Sequence, residues 1–381
     1  RFLDFSPTGQ SATIRFALTS LLTDFGDIDD AITTFIHCLC TILKRAKLKA
    51  TPSHLQTLEE CSICLSTLLA TSSFARRVVV QNGIIRSQQI AEMALNAPSS
   101  KARRFFSKSI LHLFEDKDIW CDDDNHFQIS SWLRKTNIYS NIQSCGEILK
   151  EMSSPSFTSA RIHGAAFFGG SCIHALHKIL ETEKTNEPLF KTIESASPLI
   201  CWLGKGCLHS DEVIGNACAG ALHLAFLPST DDATILQNGK DVCKALSFLT
   251  KALKRFGNGD HTDEHRTVLL TKAAGSLLSS TTLHDEDVCS NEITTCRNDC
   301  VDTLVSLLGS SANKKEPLLS IFIGEALGEF ADAYSPVGSS WTLPKDSPPD
   351  EYSEKYANAL PPHEQVSTGF MENSFLFAIH L

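Results

Sequence analysis

Apolar residues recur at three- and four-residue steps along most of this chain, the pattern of helices that bury one stripe. In 11–25 the stripe is Ile14, Ala17, Leu18, Leu21, Leu22 and Phe25, and Gly26 suits a helix stop. Asp29 or Asp30 starts a second helix through Ile32, Phe35, Ile36, Leu39, Ile42 and Leu43. It ends among Lys44, Arg45, Lys47 and Lys49, where cations favour the negative end of the helix dipole. Thr51-Pro52-Ser53 forms a turn, and Ser53 can cap a third helix that reaches Ala70. Shorter apolar helices are expected at 74–95 and 101–115, divided by Ala97-Pro98-Ser99-Ser100. An acidic connection, 116–126, precedes helices at 127–135 and 138–152, and Pro155 closes that part.

The pattern also repeats on a longer scale. Leu18-Thr-Ser-Leu-Leu22 aligns with Leu65-Ser-Thr-Leu-Leu69 at an offset of 47. Four later helices share a Gly/Ala-rich centre: 162–180, 213–227, 268–280 and 321–333. With Gly169, Gly220, Gly275 and Gly328 taken as equivalent, the spacings are 51, 55 and 53. Helices at 188–207, 241–256 and 298–308 lie between these centres. Loops are expected at 181–187, 229–239, 257–265 and 284–295. Glycine inside a helix costs about 1 kcal/mol relative to alanine. Close packing of helix on helix is the expected reason for all four.

These features predict an all-α, armadillo/HEAT-like α-solenoid of stacked helix pairs with a period of about 45–55 residues. The array is expected over 1–342 and is more regular from 156. A Pro-rich charged loop, 343–365, follows, and 366–381 begins a further helical unit. The chain starts at Arg1 and stops inside the apolar run 375–381, so it reads as a piece of a longer protein.

Composition narrows the function classes. Net charge is −10, with a balance of +3 over residues 1–120 and −13 over the remainder. An acidic chain is a poor general binder of polyanions, so nucleic acid is not the expected partner. No apolar run approaches the length of a membrane span, and no membrane insertion is expected. Fourteen cysteines in a chain this long, mostly single on apolar helical faces, suit core thiols in a reducing cytoplasmic or nuclear compartment.

Several motifs invite a chemical reading. His261-Thr-Asp-Glu264-His265 matches H-x-x-E-H, in which two histidines one turn apart bind zinc and the glutamate acts as base. Its surroundings are turn-rich, and a solvated loop or first helical turn is the expected setting. Cys61-x-x-Cys64 lies mid-helix, whereas redox pairs usually open a helix that lowers the thiol pKa. Its nearest companion pair, Cys296 and Cys300, is remote in sequence. His174-x-x-His177 reads as a pair on one helix face. The run 164–170 lacks the G-x-x-x-x-G-K-[ST] order of a phosphate loop. The basic clusters 44–49 and 101–104 read as helix ends and solvated faces. No catalytic, cofactor-binding or metal-binding residue is assigned, and no cofactor is expected.

The stretch Ser320-Ile-Phe-Ile-Gly-Glu-Ala-Leu-Gly328 is followed by Tyr334-Ser-Pro-Val-Gly-Ser-Ser-Trp341 and the Pro-rich charged loop. This order resembles the large HEAT-repeat proteasome adaptor and scaffold family, the Ecm-class proteasome component. The resemblance covers 298 to about 351. It implies a non-enzymatic scaffold that binds the proteasome and serves its assembly, quality control or tethering. It brings no catalytic residues. The alternative expectation is a general HEAT/armadillo interaction scaffold in transport, cytoskeleton or signalling.

Overall fold

The computed structural model describes residues 28–46, 52–81, 87–121, 127–154, 156–182, 187–226, 239–257, 264–281, 290–314 and 317–334. Among them are fourteen α-helices and one short 3₁₀ turn, Lys117–Trp120. The helices are α1 (Ile28–Ala46), α2 (Pro52–Thr71), α3 (Ser73–Gln81), α4 (Ser87–Asn96), α5 (Ser100–Glu115), α6 (Ile129–Thr136) and α7 (Ile138–Lys150). There follow α8 (Ser159–Thr182), α9 (Glu187–Gly206), α10 (Glu212–Ala225), α11 (Gly239–Gly257), α12 (Glu264–Thr281), α13 (Ser290–Lys314) and α14 (Pro317–Tyr334). The described residues hold no strand beyond an isolated antiparallel bridge, Cys121 to Phe127. The fold is an all-α helical repeat.

The helices stack in two layers. In the first layer α2, α5, α8, α10, α12 and α14 each pack on the next in the series. In the second, α7, α9, α11 and α13 do the same. The layers are joined within successive pairs: α7 on α8, α9 on α10, α11 on α12 and α13 on α14. One continuous apolar core runs from Ile32 in α1 to Ala326 in α14. Each helix therefore gains its burial from sequence neighbours, as a quasi-one-dimensional stack requires.

Local chemistry sets several boundaries. The Ser99 hydroxyl accepts a hydrogen bond from Ala102 N at the start of α5, and the Asp211 carboxylate accepts from Val213 N at the start of α10. Asn137 joins α6 to α7 at φ 51°, a left-handed conformation that asparagine tolerates better than most residues. Its N–H bonds Leu133 O and closes α6.

Three expectations need correction. The span 74–95 is two helices, α3 and α4. The span 284–295 is not wholly a loop, because α13 begins at Ser290. Ile293, Cys296, Cys300, Leu304 and Leu307 continue its buried or half-buried stripe backwards past Asn298. The glycine rationale also changes. A Cβ on Gly169 would stand 2.9 Å from a Leu199 methyl, but on Gly220 it would find only the Phe167 ring at 3.5 Å, and on Gly328 nothing within 4 Å. Close approaches of neighbouring backbone lie at other positions. A Cβ on Gly170 would meet Ala221 O at 2.7 Å, and one on Gly204 would meet Ala245 Cα at 2.6 Å. The expected helix 11–25, the loop 343–365 and the unit 366–381 lie outside the described residues.

Candidate interaction surface

Buried Ser and Thr hydroxyls mostly bond a carbonyl one turn back in their own helix, but several larger polar side chains close the ends of other helices. The last carbonyls of a helix have no partner within it, so they need donors from elsewhere. Arg76 donates to Leu69 O at 2.6 Å, at the end of α2, and pairs with Asp116. Arg103 donates to Ala97 O at 2.5 Å and Pro98 O at 3.2 Å, beyond α4. Arg266 donates to Cys207 O at 3.0 Å and His209 O at 2.6 Å, beyond α9, and its guanidinium lies 3.6 Å from the Phe256 ring centre. Trp120 and Trp132 donate their indole N–H groups to Leu113 O and Phe114 O at the end of α5.

Histidines do the same. His174 Nδ1 lies 2.8 Å from Leu224 O and His177 Nδ1 lies 2.9 Å from Ala225 O, both at the end of α10. A carbonyl only accepts, so each Nδ1 carries the proton. The pair H-x-x-H therefore points two donors from α8 at one helix terminus. In the next seam His223 Nδ1 meets Ser276 Oγ at 2.8 Å. His163 instead accepts from Arg103 Nε at 3.3 Å. Burial pushes His177, His163 and His223 down to about 4. Neighbouring cations add to this: Arg103 and Arg104 beside His163, and Lys272 beside His223.

The basic cluster 101–104 was expected on a solvated face. Lys101 and Arg104 are exposed, but Arg103 is buried. The carbonyls beyond α4 compensate its desolvation, a role that the run of cations does not reveal. In the cluster 44–49, Lys44 and Arg45 fall in the last turn of α1, and 47–49 lie outside the described residues.

Of the H-x-x-E-H match, His261 lies outside the described residues, Glu264 opens α12 and His265 is exposed in its first turn. Cys61 and Cys64 are core residues of α2. The described cysteines are free thiols. Burial raises Cys145, Cys218 and Cys300 to about 12, so these thiols are held protonated and unreactive. Among the described residues no group of three His, Cys, Asp or Glu side chains is placed to share a metal ion. No single described helix is long and apolar enough to cross a membrane.

Half-buried aromatic rings with cations over them occur on both layers, among them Trp202 of α9 and Phe248 of α11 in the second. Lys108 Nζ lies 5.5 Å from the Phe105 ring centre, the Arg104 guanidinium 5.8 Å from Phe167, and Lys272 Nζ 4.2 Å from Phe322. Phe105, Phe167 and Phe322 are half-buried. These three belong to α5, α8 and α14 of the first layer, and two of the pairs join neighbouring helices of it. Such rings offer large contact area at low entropic cost, and a cation on a ring is weakly held at the surface. The arrangement suits protein contact along several repeats. No single signal in the sequence marks it, because each ring looks like an ordinary stripe residue.

No family model matches this chain, and no curated protein matches it. Among solved structures it is similar to crystal structures of engineered proteins from the Northeast Structural Genomics Consortium. One is 15% identical with a TM-score of 0.42, covering 78% of this chain and 97% of the other. A second is 14% identical with a TM-score of 0.40, covering 76% and 98%. A third is 11% identical with a TM-score of 0.30, covering 87% and 97%. Likeness at this level carries no argument about function.

Proposed function

We propose that this chain is a helical-repeat scaffold that binds the proteasome and serves its assembly, quality control or tethering in the cytoplasm or nucleus. Stacked helix pairs supply an extended surface on which side chains from successive repeats can act together. Half-buried rings with cations over them on both layers support a role in protein contact. The partner is named by one observation: the order Ser320–Gly328, Tyr334–Trp341 and Pro-rich loop, which resembles the Ecm-class family. The role needs no catalytic residue, cofactor or metal.

Affinity capture with the full chain, followed by identification of the retained proteins, tests this reading. Enrichment of proteasome subunits over a capture with an unrelated helical-repeat protein is the expected result. Recovery of transport, cytoskeletal or signalling partners without proteasome subunits would replace the specific role with the general scaffold.

A further inference from the structure

Thiols meet across several helix seams, and solvent reaches them unequally. Cys145 of α7 lies beside Cys172 of α8, and Cys207, just beyond α9, lies beside Cys218 of α10. All four are fully buried, so an oxidant in solution has no path to them. The pair in the second-layer seam between α11 and α13 differs. The Cys243 S–H donates a hydrogen bond to the Cys296 sulfur. Cys243 is 6% exposed, and Cys296 is half-buried. One thiol of this pair therefore faces solvent while the other stands behind it. One turn further along α13, Cys300 is fully buried against Thr250 of α11. Cys201 of α9 is half-buried too, but the charged groups around it are Asp241, Lys244 and Lys205, with no thiol among them.

The surroundings of Cys296 select among oxidants. Glu292 and Asp299 of its own helix and Lys251 of α11 act on it, and all three are exposed. Burial and the two carboxylates raise the thiol, against the hydrogen bond from Cys243 and the Lys251 charge. The thiolate is the nucleophile, so reaction at neutral pH is slow beside that of a dedicated redox catalyst. The two carboxylates also repel an anionic oxidant such as glutathione disulfide, whereas hydrogen peroxide is small and neutral. Two sulfurs already joined by a hydrogen bond across directly packed helices need only a local approach to the disulfide length of about 2 Å.

We infer that Cys243 and Cys296 are a reversible disulfide-forming site, oxidised by hydrogen peroxide, that ties α11 to α13. The Cys296 thiolate attacks a peroxide oxygen and the O–O bond breaks. The departing hydroxide takes up a proton to become water, and Cys296 is left as a sulfenic acid. Cys243 gives up its proton and its sulfur attacks the Cys296 sulfur. The S–O bond breaks, and the second hydroxide leaves with that proton as water. Two thiols lose two electrons in all, and the peroxide gains them. A thiol reductant reverses the link by exchange. The site lies within one seam of the stack and does not depend on which partner the scaffold binds.

The test uses the full chain, reduced and freed of reductant, then exposed to hydrogen peroxide at neutral pH. Remaining thiols are capped with N-ethylmaleimide, and non-reducing peptide mapping by mass spectrometry reads the links. The expected product is one cross-linked peptide joining Cys243 to Cys296, lacking two hydrogens and released by dithiothreitol. Dimedone, which traps sulfenic acids, supplies a second readout. In a Cys243→Ser chain the Cys296 sulfenic acid has no resolving thiol, so its dimedone adduct should rise at least tenfold over the unmodified chain. The Cys201 adduct, with no thiol beside it in either chain, should stay the same. Glutathione disulfide at equal concentration should form the link at least tenfold more slowly. Absence of the Cys243–Cys296 peptide after peroxide would overturn the site, and this readout needs no variant. Linkage of Cys296 to Cys300 would overturn the pairing. Equal linkage of Cys207 to Cys218 would overturn the argument from exposure, and equal rates with glutathione disulfide would overturn the oxidant.

Discussion

Gly170 and Gly324 lie on helices of the same layer, in similar Gly/Ala-rich sequence, and mean opposite things. At Gly170 the neighbouring helix backbone occupies the space that a side chain would need. At Gly324 that space is open. The first glycine is a structural requirement of the seam between α8 and α10. The second weakens its own helix, and within the described residues no packing repays it. The lesson is that a repeat conserves the opportunity for close approach, while the next helix decides whether it is used. The closed seams are also tied at their polar ends by His174, His177, His223 and Arg266. The contrast between closed and open seams can therefore be tested through their buried charges as well as their glycines.

Acid should separate the two regions most strongly. His163, His177 and His223 are held near 4, below the ordinary histidine value of 6.5. A base with a lowered folded-state pKa keeps its full contribution above its unfolded pKa. It loses that contribution as pH falls from about 6.5 towards 4, because the unfolded chain then binds more protons. A depression of this size corresponds to roughly 3 kcal/mol for each buried histidine. The chain is therefore expected to lose stability progressively as pH falls from about 6.5 towards 4. Hydrogen exchange across that range should show α8, α10 and the start of α12 losing protection before α14. Uniform loss, or full protection at pH 4.5, would contradict this picture.

Arg266 comes next in expected effect. Its guanidinium closes the end of α9 through Cys207 O and His209 O and lies on Phe256. Charge-assisted hydrogen bonds contribute about 1.5–3 kcal/mol each, and their removal leaves buried carbonyls without a partner. Arg266→Met keeps most of the apolar volume and should cost roughly 3–5 kcal/mol in urea unfolding. Arg255→Met serves as the control, since Arg255 is exposed. A loss no larger than the control's would mean that water satisfies those carbonyls equally well.

How much of this was legible beforehand depends on what carried the information. Helix existence followed from apolar spacing, and α8, α10, α12 and α14 lie within a few residues of their expected bounds. The start of α13 was hidden because Ser290-Asn291-Glu292 reads as loop. Those same residue types open a helix when Ile293 is buried and Cys296 half-buried beneath them. The glycine period was legible, but the contact position was not. Gly169 and Gly170 are neighbours in sequence, and only the crossing geometry chooses between them. Arg103 and His177 were illegible for a different reason. Sequence reading assigns charges and polar rings to helix faces, whereas Arg103 is held inside by the carbonyls of Ala97 and Pro98 just upstream and His177 by the remote Ala225 O. The cation–ring pairs Arg104–Phe167 and Lys272–Phe322 each join two helices and form only when those helices stack.

Gly204 tests the closed side of the glycine comparison. A Cβ there would stand 2.6 Å from Ala245 Cα and 3.0 Å from Ala245 O, and backbone cannot yield as a flexible side chain can. Gly204→Ala gains about 1 kcal/mol of helix propensity and loses more to the forced separation of α9 and α11. Overpacking typically costs about 1–3 kcal/mol. A net loss of up to about 2 kcal/mol is therefore expected in thermal or urea unfolding. A gain in stability would show that the seam is looser than its geometry states.

The smallest effect, Gly324→Ala, carries the opposite sign. Nothing lies within 4 Å of the added methyl, so no contact is strained. The residue is helical and exposed, and the change removes backbone freedom from the unfolded chain. That combination stabilises by about 0.4–1 kcal/mol. It is a small shift, best read as the difference between Gly324→Ala and Gly204→Ala measured side by side.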